Sequence, residues 1–295
     1  MTKSIKRANR LNDLNGKDWV KSTKSVWLDT ENKNLLYNNM EYAIETGLLF
    51  SESPQRDALK KNHPATFSEK DVCKLIRFFT KSNEIVLDPF LGAGSAGVSA
   101  VLEDRIFIGI ELYPEWSVLA QDRIEQAKHS LNKEVSTQII CGESLEMMRS
   151  LSNESVDFIV TSPPYWGILE KQDHKAKRER IAKGLITNYG ENKLDLGLIS
   201  NFKDFMDTLT LHFKEYYRLL KPKRYTTVIV SDFRHAHEYY MFHSDVANSM
   251  RKAGFTIQGL ITLVQDNKKL YPYGYPTTYV PNIANQFIVI GRKLP

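Results

Sequence analysis

One stretch constrains the chain more than any other: Glu84 to Asp104 reads EIVLDPFLGAGSAGVSAVLED, a short apolar run, a glycine turn and a helical pattern. An apolar run of this length bounded by a turn is the mark of a fully buried parallel strand. Gly92 and Gly94 let the backbone turn sharply and approach a ligand closely at the strand end. Strand, glycine turn and helix open a nucleotide-binding βα unit, although glycine turns are common and this one does not define a cofactor site alone.

The alternation continues on both sides. FSEKDVCKLIRFF, from Phe67 to Phe79, sets Val72, Leu75, Ile76 and Phe79 at helical spacing, with Ser68 as N-cap and Asp71 three residues on. RIFIGIEL is a second strand, and the helical run behind Pro114 places a proline where a first helical turn accepts one. STQIICGES is a third strand, LEMMRSLSNES a short helix and turn, and VDFIVT a fourth strand ending in the loop SPPYW. After Ser200 come a helix to Lys221, the strand YTTVIVSDF, the helix SDVANSMRKAG, the strand FTIQGLITLV and a last strand NQFIVIGRK. The expected fold is α/β, a Rossmann-like doubly wound fold with a mostly parallel sheet, an antiparallel last strand and helices on both faces. Ligands of such sheets sit outside the carboxyl ends of the strands.

The 295 residues are read as a single domain. Two segments fall outside the alternation. Residues 1–24 are polar, with four basic residues between Lys3 and Arg10, and read as an arm that either touches phosphates or is a solvated tail. Residues 167–200 are charged and glycine-containing, and read as an inserted segment that is the candidate target-recognition region. The net charge of +5 is mild, so composition alone makes nucleic acid only a modest favourite. Cys73 and Cys141 are too few for a disulfide framework or a cysteine-rich zinc site, and both lie in apolar sequence. No apolar run approaches the roughly 20 residues that span a bilayer, and a cytoplasmic location is expected.

The chemistry-bearing residues fall at strand ends. Glu111 closes the second strand, where a carboxylate can accept two ribose hydroxyls or stand as an exposed acid; Glu143, in CGES, has the same two readings. TSPPYW, from Thr161 to Trp166, is the decisive piece. Pro163 and Pro164 stiffen the loop, which can aim carbonyls and Ser162 at a substrate, and Tyr165 offers a face for an extruded base, a stack worth about 1–3 kcal/mol.

From His63 to Tyr165 the chain resembles the amino-methyltransferases of DNA, the N4-cytosine and N6-adenine family that uses S-adenosylmethionine. HPATF, DPFLGAGSAG, Glu111, GES and TSPPYW carry the likeness. The resemblance implies that His63, Pro64 and Thr66 close over the methionine part of the cofactor, and that Asp88, Phe90, Gly92, Gly94, Ser95, Glu111, Leu112, Glu143 and Ser162 line S-adenosylmethionine. It implies that Ser162, Pro163, Pro164 and Tyr165 hold the target amino group. The cofactor loop precedes the catalytic loop here, whereas the commonest relatives with this wording have the reverse order, which weakens any carry-over of target-recognition regions. The implied partner is double-stranded DNA, with room for a companion restriction endonuclease; oligomeric state is not legible in the chain.

An exocyclic amine has its lone pair conjugated into the ring, so acceptors for its two N–H groups, Ser162 Oγ and the Pro163 carbonyl, would localise that pair and align it with a sulfonium methyl. A base in a duplex must be extruded first. Carbon-5 chemistry needs a thiolate, and neither cysteine follows a proline in such a loop. Trp166 and the basic run after it, Lys171, Lys175, Lys177, Arg178 and Arg180, are candidate nucleic-acid contacts; the run reads equally as a solvated face. His235, His237 and His243 suggest a metal at first sight, but methyl transfer needs none and no metal is expected. The aromatic loop Tyr271 to Asn282 lines a base pocket or simply packs.

Rival readings stay in view. An RNA methyltransferase can use a similar loop, and a catalytically silent binding subunit can keep the fold; a protein-glutamine enzyme would carry Asn in place of Ser162. Serine at the head of SPPY leans the reading to cytosine N4, with adenine N6 as the alternative.

Overall fold

The computed structural model describes residues 9, 11–15, 26–29, 49–51, 68–167, 192–265, 270 and 279–295. In chain order these form β1 (Val26–Asp29), β2 (Leu49–Ser51), α1 (Glu69–Phe79), β3 (Ile85–Asp88), α2 (Ser95–Leu102), β4 (Ile106–Glu111), α3 (Pro114–Leu131), β5 (Thr137–Cys141), α4 (Ser144–Ser150) and β6 (Val156–Thr161). After a 3₁₀ turn at Leu196–Leu198 come α5 (Phe202–Leu219), β7 (Leu220–Val230), β8 (Phe233–His235), β9 (Glu238–Tyr240), α6 (Phe242–Lys252), β10 (Thr256–Val264) and β11 (Asn285–Arg292).

The main sheet has the order β2-β1-β10-β11-β7-β6-β3-β4-β5. β3, β4, β5, β6 and β7 pair in parallel, while β11 runs antiparallel to both β7 and β10. The expected α/β architecture with an antiparallel last strand is therefore what the chain adopts. β1 and β2 add two parallel strands beyond β10 that the sequence reading did not contain.

Alternation along the strands divides the core in two. Val86, Phe158, Ile229 and Ile288 face α1, α2 and α3, where they meet Val72, Ile76, Ala96, Ala100, Ala120 and Ile124. Leu87, Ile159, Val228, Val230 and Val289 face the other way, against Met148 of α4, Phe205, Leu209 and Phe213 of α5, and Val246 and Met250 of α6. Burying both faces is what a parallel sheet requires, and it leaves the loops at the strand ends free to bind.

Details correct the sequence reading. Ser68 stands at the N-cap of α1, but its side chain makes no capping bond. Pro114 does occupy the first turn of α3. β7 begins at Leu220, ahead of the expected Tyr225; its ladder with β6 breaks between Val156 and Phe158, and Lys223 there has φ +69°. Part of the N-terminal arm is fastened to the fold: Asn12 is buried and donates to the Phe78 carbonyl, and Lys81 donates to the Asn9 carbonyl at 3.0 Å. Of the two cysteines in apolar sequence, Cys73 is buried, with burial first among the causes that push its thiol up to about 12, and Cys141 is exposed. No helix among the described residues is long and apolar enough to cross a membrane.

Candidate active site

The carboxyl ends of β3, β4, β5 and β6 surround a cavity enclosing about 1050 Å³ of space open to solvent. Phe90, Gly92, Ser95, Glu111, Leu112, Glu143, Ser162, Pro163, Pro164 and Tyr165 line it. The glycine turn and the proline loop, far apart in sequence, thus face a single space.

Glu111 ties the glycine-turn wall of the cavity together. Its Oε2 accepts the Gly92 N–H at 2.8 Å and its Oε1 the Tyr113 N–H at 3.0 Å, while Gly92 itself turns with φ +52°. Burial raises its pKa against these backbone donors. A carboxylate has about four lone-pair sites, so acceptor capacity remains towards the cavity.

Asp88 and Gly94 do not line the cavity. Asp88 is fully buried beneath it, where Oδ1 accepts the Phe90 N–H at 3.1 Å and the Thr161 hydroxyl at 2.7 Å, clamping the glycine turn to the start of the proline loop. Its Oδ2 has no hydrogen-bond partner, and burial pushes the carboxyl up to about 7. Gly94, at φ +78°, caps α2 with its Cα against α3: a Cβ there would lie 3.0 Å from the Ala120 Cα. Its absence of side chain serves helix packing.

Glu143 combines two tasks. It caps α4, accepting from Leu145 N–H at 2.9 Å and Glu146 N–H at 2.7 Å, and it borders the cavity. Burial alone would raise its pKa, but the neighbouring His212 ring and the two backbone N–H donors outweigh that and hold the carboxyl down at about 2. His212 is fully buried on α5, its Nδ1 3.0 Å from the Thr208 carbonyl, its ring against Phe90 and its Nε2 3.6 Å from Glu143.

In the proline loop Ser162 is half-buried and Pro163 buried. The Tyr165 hydroxyl accepts the Ser231 N–H at 2.8 Å, and its ring meets Phe233 and Phe242. Burial pushes this phenol up to about 12. Trp166, expected to touch nucleic acid, is turned inward instead: it is buried, its Nε1 donates to the Ile199 carbonyl at 2.8 Å, and its ring lies 4.3 Å from that of His235. An indole spent on packing offers no face to a ligand.

Several residues of the site escaped the sequence reading. Asp195, in the segment 167–200, borders the cavity and accepts the Tyr113 hydroxyl at 2.8 Å and the Gly197 N–H at 2.8 Å. Ser95 Oγ donates to Glu69 at 3.0 Å; buried Arg123 also pairs with Glu69 and donates to the Ala93 carbonyl, bracing the glycine turn from α3. Gln286, at the start of the antiparallel β11, completes the wall. Only Asp195 had a local signal, an Asx turn followed two residues later by glycine.

His63, Pro64 and Thr66, and the basic residues Lys171, Lys175, Lys177, Arg178 and Arg180, lie outside the described residues, as does most of the aromatic loop. Among the described residues no group of three or more His, Cys, Asp or Glu side chains could hold a metal.

A doubly wound sheet with a glycine turn, a strand-end carboxylate and a stiff proline loop around one cavity defines a Rossmann-like fold with its cavity at the carboxyl ends of the strands. The sequence profile of the N6/N4 DNA methylases matches residues 2–122 and 156–292, and the chain belongs to that family. It is 43% identical over 63 residues to the type II methyltransferase M.Cfr9I of Citrobacter freundii, covering 21% of each chain. It is 38% identical over 81 residues to the type II methyltransferase M.BglI of Bacillus subtilis, covering 27% of this chain and 23% of that one. The matches thus span about a quarter or less of these relatives' length. Among solved structures, the Thermus thermophilus protein TTHA0409, a candidate DNA modification methylase complexed with S-adenosyl-L-methionine, aligns at 23% identity and a TM-score of 0.36, over 52% of this chain and 54% of that one.

Proposed function

We propose that this chain is an S-adenosylmethionine-dependent DNA methyltransferase acting on an exocyclic amino group of an extruded base, cytosine N4 in the first place. The observation that carries the reading is the shared cavity, in which Gly92, Glu111 and Glu143 face Ser162, Pro163 and Tyr165. The residues present fit the cofactor: a buried carboxylate with acceptor capacity suits ribose hydroxyls, and Phe90 and Leu112 supply apolar walls suited to a flat base. When bound, S-adenosylmethionine supplies a methyl group on a sulfonium sulfur.

The protein's part is positioning. Ser162 Oγ and the Pro163 carbonyl accept the two N–H groups of the target amine, and the loop's rigidity holds that geometry. The Tyr165 ring, fixed by its bond to the end of β7, gives the base a platform. Membership of the N6/N4 family supports amine chemistry. Serine instead of an acidic residue at the head of the loop supports cytosine over adenine.

The test is to methylate duplex DNA with labelled cofactor, digest it to nucleosides and identify the labelled base. Label in N4-methylcytosine is expected. Label in N6-methyladenine would move the assignment to the alternative, and label in RNA but never in DNA would overturn it.

A further inference from the structure

We propose that the β8–β9 hairpin is a duplex-DNA contact, presenting Arg234, His237 and Tyr239 to a groove beside the target base. This rests on the function proposed above and adds a partner-binding element to it.

The hairpin stands apart from the main sheet as a two-stranded sheet of its own. It follows β7, which neighbours β6, so it emerges beside the catalytic loop. Its register pairs Phe233 with Tyr240, Arg234 with Tyr239 and His235 with Glu238. Because strand side chains alternate, Phe233 and Tyr240 share a face with His235 and Glu238, while Arg234 and Tyr239 share the other.

The first face is the root. Phe233 and Tyr240 stack at 5.2 Å with a 10° interplanar angle, Phe202 meets Tyr240 at 4.8 Å, and His235 lies against Trp166. Trp166 is the residue directly after Tyr165, so the root locks the ribbon in register with the catalytic loop.

The second face carries a half-buried Arg234 and an exposed Tyr239. The Arg234 guanidinium lies 5.3 Å over the Tyr239 ring, and Tyr239 Oη donates at 3.1 Å to Asp232, at the end of β7. Tyr239 is 37% exposed, and Ala236, His237 and Glu238 at the tip are exposed too. A guanidinium stacked on an aromatic ring, with an imidazole beyond it, suits phosphate and base edges.

The tip is unusual for a residue with a side chain: Ala236 has φ +52°, a conformation that favours glycine. Such strain, held beside a functional loop by a packed aromatic root, marks a shape that the surroundings impose. The major groove of B-DNA, about 12 Å wide, admits a two-stranded ribbon. Base pairs rise about 3.4 Å each, so pairs flanking a base that reaches Tyr165 meet a ribbon rooted on the next residue.

The test measures duplex affinity by fluorescence anisotropy across a salt series for the full chain and for Arg234→Gln, Arg234→Lys, His237→Ala and the Arg234→Gln/His237→Ala double variant. The double variant is expected to bind duplex at least tenfold more weakly, with S-adenosylmethionine affinity unchanged. Arg234→Gln should reduce the slope of log K against log salt by about one, and Arg234→Lys should restore it. If the parent chain methylates DNA while every folded variant matches its duplex affinity within twofold and its salt slope, the hairpin proposal is overturned and the function stands. If the parent chain neither binds nor methylates duplex DNA, both fall.

Discussion

The backbone N–H of Ser231, at the end of β7, donates to the Tyr165 hydroxyl at 2.8 Å, so one strand end holds the aromatic ring of the neighbouring strand's loop. The phenol is therefore a structural acceptor, and the ring is the part left for a ligand. Tyr165→Phe should keep most turnover while costing about 1–3 kcal/mol of stability, because the part-buried Ser231 N–H loses its partner. Tyr165→Ala should lose turnover and blunt the fluorescence rise of 2-aminopurine placed at the target position. Denaturant unfolding and steady-state assays on both variants separate the two roles; equal losses of turnover would deny the ring its own part.

Glu111 is expected to serve cofactor binding first. Glu111→Ala should weaken S-adenosylmethionine binding by about 1.5–3 kcal/mol, measured by calorimetry, with a smaller fall in turnover at saturation. A large drop in turnover at unchanged affinity would contradict this.

The two turn glycines should part company. Gly92→Val places a side chain at the cavity wall and should abolish cofactor binding in a folded protein. Gly94→Ala meets the backbone of α3 at 3.0 Å in a left-handed conformation and should lower stability by about 1–3 kcal/mol while folded protein keeps its cofactor affinity.

Asp88 and Glu143 should respond oppositely to pH. The folded-state pKa of Asp88 is raised from 3.8 to about 7, so its contribution to stability is full below about pH 4 and is lost as pH rises through 7. That of Glu143 is depressed from 4.5 to about 2, so its contribution is present above pH 4.5 and is lost as pH falls towards 2. Stability of the parent chain relative to Asp88→Asn should therefore decline between pH 4 and 7, and relative to Glu143→Gln should decline between pH 4.5 and 2. Chemical denaturation across pH reads both; flat differences would contradict the assigned environments.

What the sequence made legible follows from where physical signals are local. β3 to β6 announce themselves as apolar runs because both faces of a parallel sheet are buried, and the motifs at their ends fall where ligands bind. β1 and β2, the last two strands on one side of the sheet, have four and three residues, too short for a period to register. β8 and β9 were hidden because their register depends on the aromatic root around Trp166 and Phe202, contributed by distant segments. The same distance concealed Asp195, whose partner Tyr113 lies across the cavity, and Arg123, which reaches the glycine turn from α3. Asp88 and Gly94 sit in the cofactor motif, yet only burial and packing reveal that they support the loop from below.

The central claim is that Ser162 acts on the amine after the cofactor has bound. Ser162→Ala should bind S-adenosylmethionine nearly normally by calorimetry, while its single-turnover methyl transfer to duplex DNA falls about 10- to 100-fold, the rate equivalent of one hydrogen bond to a charge-developing group. A folded Ser162→Ala variant that methylates DNA at the parental rate would contradict the account.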